Sequence, residues 1–199
     1  MSLELISAIK QLNLDKIERL LLTNIENINV RDREGNTPLL WACKEGFEQI
    51  AIILLEKGAD PNIAGEYYNT PLIFAAFHNM RLLIEKLLFV KASINDKNIN
   101  GMNALLWASA QGHADIVEIL LANGANVNEV DNEGENALIK AIRFGSNNDT
   151  IDILLNSGAE PTTVDNEGNS AVIWAFKSGN DFAISLLLEF VPETLDESL

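Results

Sequence analysis

The sequence has little of what most enzymes and metalloproteins need. It holds one cysteine, Cys43, and two histidines, His78 and His113. A lone cysteine excludes an internal disulfide and fits a reducing compartment. Apolar runs such as Ile50–Leu55 stop far short of the roughly 20 residues that span a bilayer, so no membrane helix is expected. The first residues carry Glu4 and no basic stretch ahead of their apolar positions, so a secretory signal is not expected either. Positive charge is scarce in the second half. Residues 1–97 carry 11 basic and 13 acidic side chains, but residues 98–199 carry only Lys140, Arg143 and Lys177 against 16 acids. A net charge of −15 disfavours nucleic acid and anionic lipid, which are bound by clustered Lys and Arg, and it points to a basic partner if there is one.

The sequence does contain a repeat. Gly35, Tyr68, Gly101, Gly134 and Gly168 recur at intervals of 33 or 34 residues. Two further series run in phase with them, Gly46, Asn79, Gly112, Gly145, Gly179 and Gly58, Lys91, Gly124, Gly158. Such periodicity is the mark of a tandem array whose units bury their apolar faces only against one another. Thr37-Pro38 and Thr70-Pro71 start a first helix, with threonine as cap and proline where a missing N–H costs nothing. An apolar run follows, as in Leu39-Leu40-Trp41-Ala42-Cys43, and then a break. The second helix has apolar residues at helical spacing, as at Ile116, Val117, Ile119 and Leu120, and ends at Gly58, Gly124 or Gly158. Lys91 holds one of these helix-end slots, and a left-handed conformation there would cost about 1 kcal/mol. The segment from 131 has one extra residue near Ser146–Thr150.

The stretch Asp32-Arg33-Glu34-Gly35-Asn36-Thr37-Pro38-Leu39, with Leu54-Leu55-Glu56-Lys57-Gly58-Ala59-Asp60 after it, resembles the ankyrin repeat. The resemblance implies an all-α solenoid of stacked helix-turn-helix units with β-hairpin-like loops, an N-terminal capping repeat and five further repeats. It implies one domain over 1–199: a cap at 1–31, repeats at 32–64, 65–97, 98–130 and 131–164, a C-terminal repeat at 165–190 and an acidic tail at 191–199. Where the family places histidine after Pro-Leu, this chain has Leu40, Ile73, Leu106, Ile139 and Ile173. One slot later stand Trp41, Phe74, Trp107 and Trp174, expected to pack between repeats, with Lys140 interrupting the series.

No catalytic constellation is found. His113 starts a second helix, where the family commonly has histidine, and Cys43 occupies a small-residue core slot. Glu129, Asp131, Glu133 and Gly134 mimic the start of a calcium loop, but its twelfth position is Lys140 in place of a bidentate Glu. Neither an enzyme, nor a cofactor, nor a metal site is expected. The resemblance places partner contacts beside the tip glycines and at the ends of the first helices. In the second repeat these include Tyr67, Phe77 and His78, and in the third Ile99, Met102 and Gln111. In the fourth they are Glu133, Glu135, Arg143 and Phe144, with Lys140 nearby to pair with Glu133 or Glu135 or to meet an aromatic ring. The reading is of a non-catalytic cytoplasmic module that binds a protein or peptide on its concave face, as a monomer. Export into a host cell is the alternative location for a host-associated bacterial source. Self-association through the apolar last helix, Phe182–Leu188, is the alternative function, unless the tail covers that helix.

Overall fold

The computed structural model describes residues 2–23 and 27–190, so the acidic tail lies outside the described residues. The chain divides into two compact units, Met1–Ile99 and Asn100–Leu199. The division falls just inside the third 33-residue segment.

Unit 1 contains α1 (Ser2–Lys10), α2 (Leu14–Leu22), α3 (Pro38–Lys44), α4 (Glu48–Glu56), a 3-10 turn over Glu66–Tyr68, α5 (Pro71–Phe77) and α6 (Arg81–Phe89). Unit 2 contains α7 (Ala104–Gln111), α8 (Ala114–Ala122), α9 (Ala137–Arg143), α10 (Asn148–Asn156), α11 (Ala171–Ser178) and α12 (Asp181–Phe190). Helices pair within a segment, and like helices stack between segments: α1, α3 and α5 in a row with α4 on α6, and α7, α9 and α11 in a row with α8, α10 and α12. Among the described residues there is no strand, only antiparallel bridges closing two loop tips, Val130 with Asn136 and Val164 with Ser170.

The first helix of every full segment starts in the same way. A short polar side chain accepts the N–H three residues on: Thr37 from Leu40, Thr70 from Ile73, Asn103 from Leu106, Asn136 from Ile139 and Ser170 from Ile173. Each cap satisfies a donor that the helix itself cannot. These helices are short and nearly all-round apolar because neighbours cover both flanks, and Leu39, Leu40, Ala42 and Cys43 are fully enclosed. The second helices bury one face, as at Ile116, Val117 and Leu120. The extra residue of the fourth segment has a use: Asn147 caps α10 by accepting from the N–H of Thr150, and its amide donates to the carbonyl of Gly112 in the segment before.

Asparagines tie segments together. Asn29 accepts from the N–H of Asp60, Asn62 from that of Ser93, and Asn128 from that of Glu160, at 2.8–3.0 Å. Lys91 has φ 68°, so its slot is left-handed like those of the glycines in its series.

Candidate functional site

The loop tips are built on an aspartate. Asp131 Oδ1 accepts the N–H groups of Glu133 and Glu135 at 2.9 and 3.0 Å, and Asp32 and Asp165 do the same in their own segments. This turn leaves the second carboxylate oxygen facing the residue nine positions on. Trp41 donates its indole N–H to Asp32 at 2.7 Å, and Trp174 donates to Asp165 at 2.8 Å. In the fourth segment the ammonium of Lys140 replaces the indole, 2.6 Å from Asp131. The second segment has neither partner: Gly65 stands at the aspartate position and Phe74 at the donor position. A Cβ on Gly65 would lie 2.0 Å from Asn36 Oδ1, so the side chain of the preceding segment packs against it, and the tip closes by the Gly65 N–H donating to the Asn69 carbonyl at 3.1 Å.

Lys140 therefore does not reach solvent. It is 5% exposed and is held by Asp131, by Glu135 at 2.5 Å and, more distantly, by Glu133 at 3.8 Å. The pairing expected with Glu133 or Glu135 is present, but Asp131 is a principal partner that sequence reasoning missed. The recurring aspartate–donor spacing, 32 to 41 and 165 to 174, is the signal that could have found it. Burial penalises the ammonium, yet the hydrogen bonds and charges of Asp131 and Glu135 outweigh that penalty and hold its pKa above the ordinary value. The Arg143 guanidinium bonds Glu135 and pairs with Glu133 at 3.1 Å, and it lies over the rings of Phe144 and Trp174 at 5.5 and 5.0 Å. The carboxylates of Asp131, Glu133 and Glu135 offer oxygens within 4.8 Å of one another, and the cation they enclose is this ammonium.

Three residues expected at a contact surface are buried. Besides Lys140, Glu135 and Met102 are 1% and 6% exposed. The reason is shared by the segments: the residue right after the tip glycine leads into the helix cap and turns inward, as Asn36 and Asn169 also do. Glu133, Arg143, Phe144 and Gln111 are exposed. In unit 1, Tyr67 and Ile99 are exposed and adjacent, with the Ile99 N–H donating to the Tyr67 carbonyl at 2.9 Å. Tyr67 and Tyr68 both have positive φ, 58° and 60°, an uncommon backbone for aromatic residues. Phe77 is exposed at the end of α5 and meets His78 edge to face at 4.9 Å. His78 is exposed but tethered: Nε2 lies 2.9 Å from the Lys44 carbonyl, so that nitrogen carries the proton and donates. His113 opens α8, its backbone N–H bonding Ala108. Two members of the aromatic series are cation platforms, with Lys10 and Lys44 on Trp41 at 3.9 and 4.6 Å and Arg143 and Lys177 on Trp174 at 5.0 and 4.8 Å.

Within unit 2 a groove of about 530 Å³ opens between the tips and first helices of two segments. Trp107, Ala110 and Gln111 line one side, and Glu133, Arg143 and Phe144 the other.

A family model for ankyrin repeats matches residues 5–98 and 72–165. An ankyrin repeat domain from Acinetobacter baumannii AYE superposes with a TM-score of 0.82 at 30% identity, covering 94% of this chain and 96% of that one. A second solved ankyrin repeat protein gives 0.84 at 28% identity, covering 95% of this chain and 98% of its own. Among curated proteins, the acyl-CoA-binding domain-containing protein 6 of Bos taurus is 40% identical over 44 residues, 22% of this chain and 16% of that protein. With the model spanning most of its length and the solved structures matching its helix pairs throughout, the chain belongs to the ankyrin-repeat family, and its fold is a helical repeat solenoid.

Proposed function

We propose that the chain is a non-catalytic module that grips a protein or peptide through its loop tips and first-helix ends. Ankyrin-repeat domains generally mediate protein–protein interaction and are typically not catalysts. The observation that carries the reading here is large aromatic side chains on show where solvent favours polar ones: Tyr67, Tyr68 and Phe77 in unit 1 and Phe144 in unit 2. Two adjacent tyrosines held at positive φ strengthen it, because strained backbone concentrates at sites of use. The acidic excess of residues 98–199 favours a basic partner over nucleic acid or an anionic membrane. No helix among the described residues is long and apolar enough to cross a bilayer. A cytoplasmic setting, whether the cell's own or a host's, suits a fully buried free thiol.

The test is capture of partners by the full chain. Substituting Phe77→Glu and Phe144→Glu should abolish it while leaving the helical circular dichroism intact; capture undiminished by both would move the interface elsewhere. A second reading, self-association, is favoured by the exposure of Ile173, Phe176, Phe182 and Leu188 in the last repeat. Light scattering of the full chain and of a Phe176→Glu, Leu188→Glu variant distinguishes it, and a monomer in both eliminates it.

A further inference from the structure

We propose that a groove between the second helices α8 and α10 of unit 2 is a docking site for a basic amphipathic helix of a partner protein, separate from the loop-tip contacts. Charge in unit 2 is sorted by helix. The second helices α8, α10 and α12 carry Asp115, Glu118, Asp149, Asp152, Asp181 and Glu189 and no base. All the bases of residues 100–190, namely Lys140, Arg143 and Lys177, stand on the first helices. Unit 1 shows how acids in these positions are otherwise answered. There Arg81 pairs with Glu85 at 3.2 Å, one turn on, and Lys86 of α6 reaches Glu56 of α4 at 3.0 Å. At the 33- and 34-residue spacing of the repeat, Glu85 corresponds to Glu118 and Asp152. The place of Arg81 falls to Ala114 and Asn148, and that of Lys86 to Ile119 and Ile153. The acids are kept while the cations are replaced by neutral residues, so neither acid has a base one turn away on its own helix.

These two acids line one groove of about 490 Å³. Leu121, Ala125, Val127 and Ile153 give it an apolar lining and are each only half-buried, while Glu118 and Asp152 are exposed. Apolar surface rimmed by charge marks an interaction site. A helix that turns aliphatic side chains into the groove and lysine or arginine to either side satisfies both features at once. The carboxylates select that guest by sign. Nucleic acid and anionic lipid bring the wrong one.

The experiment follows the fluorescence anisotropy of a labelled helical leucine–lysine peptide titrated with the full chain. The peptide should bind, and versions with serine for every leucine or serine for every lysine should each bind at least about tenfold more weakly. Paired substitutions that change the net charge equally separate the groove from the general field of the chain. Glu118→Gln with Asp152→Asn should weaken binding about fivefold. Ala122→Lys with Asn156→Lys puts an ammonium one turn after each acid and fills the groove, and should weaken binding at least about tenfold with the melting temperature retained. Glu167→Gln with Glu189→Gln, outside the groove, should change it less than about twofold. An equal loss from that last pair overturns the proposal. So does undiminished binding of the leucine-free peptide, which assigns the acids to any polycation, or of the lysine-free one, which removes the selection by charge. A dimer in light scattering that Ala122→Lys with Asn156→Lys dissociates gives the groove to a second copy and also overturns it. Phe144→Glu should leave peptide binding unchanged. If no peptide binds while Phe144→Glu still abolishes partner capture, the second-helix site falls and the loop-tip function stands.

Discussion

Lys140 shows how one side chain can replace another of different chemistry. An indole N–H in the first and last full segments and an ammonium in the fourth serve the same aspartate oxygen, but the ammonium needs more negative charge, which Glu135 and Glu133 provide. Lys140→Met strands Asp131 and Glu135 in a buried place, and urea unfolding should show a loss of about 3 kcal/mol. Because the folded pKa of Lys140 is raised, its contribution is in place at neutral pH and is lost as alkali carries the pH above 10.5 and through the raised value. Asp165 works at the other end of the scale. Burial pushes its carboxyl up, but N–H donors from Asn169, Trp174 and Glu167 prevail and hold it below 3.8. Its contribution is present above that pH and fades as acid drives through the lowered value. Melting temperatures of the parent and of Asp165→Asn should therefore lie further apart at neutral pH than near pH 2, and a constant gap would contradict the assignment. Cys43 is fully enclosed, and burial pushes its thiol well up. A thiol reagent should label it only once denaturant is added.

At the scale of the element, short helices depend on their ends. Five first helices of seven or eight residues are each fixed by one side-chain cap. Two of these caps were legible as Thr-Pro pairs, while Asn103, Asn136 and Ser170 are visible only when the period is laid over the sequence. Lys91 is the one helix end in its series that lacks glycine. Lys91→Gly removes left-handed strain of about 1–2 kcal/mol and adds glycine's unfolded-state entropy of about 0.5–1 kcal/mol, a net gain of about 0.5–1 kcal/mol. The melting temperature should rise by about 2 °C; a fall would mean that the lysine stem contributes more than its backbone costs. The asparagine rungs at Asn29, Asn62 and Asn128 were not legible, because an asparagine in a turn reads as local chemistry until its bond to the next segment is seen.

At the scale of the whole molecule, the governing quantity is charge. A net −15 over 199 residues, concentrated in the second half, makes the folded chain repel itself. Surface pairs such as Lys86 with Glu56 and Arg81 with Glu85 are half exposed and contribute little against it. Added sodium chloride should therefore raise the melting temperature, and a fall would rank those pairs above the net repulsion. The same field should make association with a basic partner faster at low salt.

The sequence determined by itself the period, the helix pairs, the glycine and lysine helix ends and the exposed aromatics Tyr67, Phe77 and Phe144, because spacing along one short stretch decides each of them. Only the tertiary structure decided that Met102, Glu135 and Lys140 turn inward and that the rings of Trp41 and Trp174 collect cations. Those outcomes depend on atoms brought together across a loop tip or from the neighbouring segment, and two residues in equivalent slots look alike until their neighbours are in place.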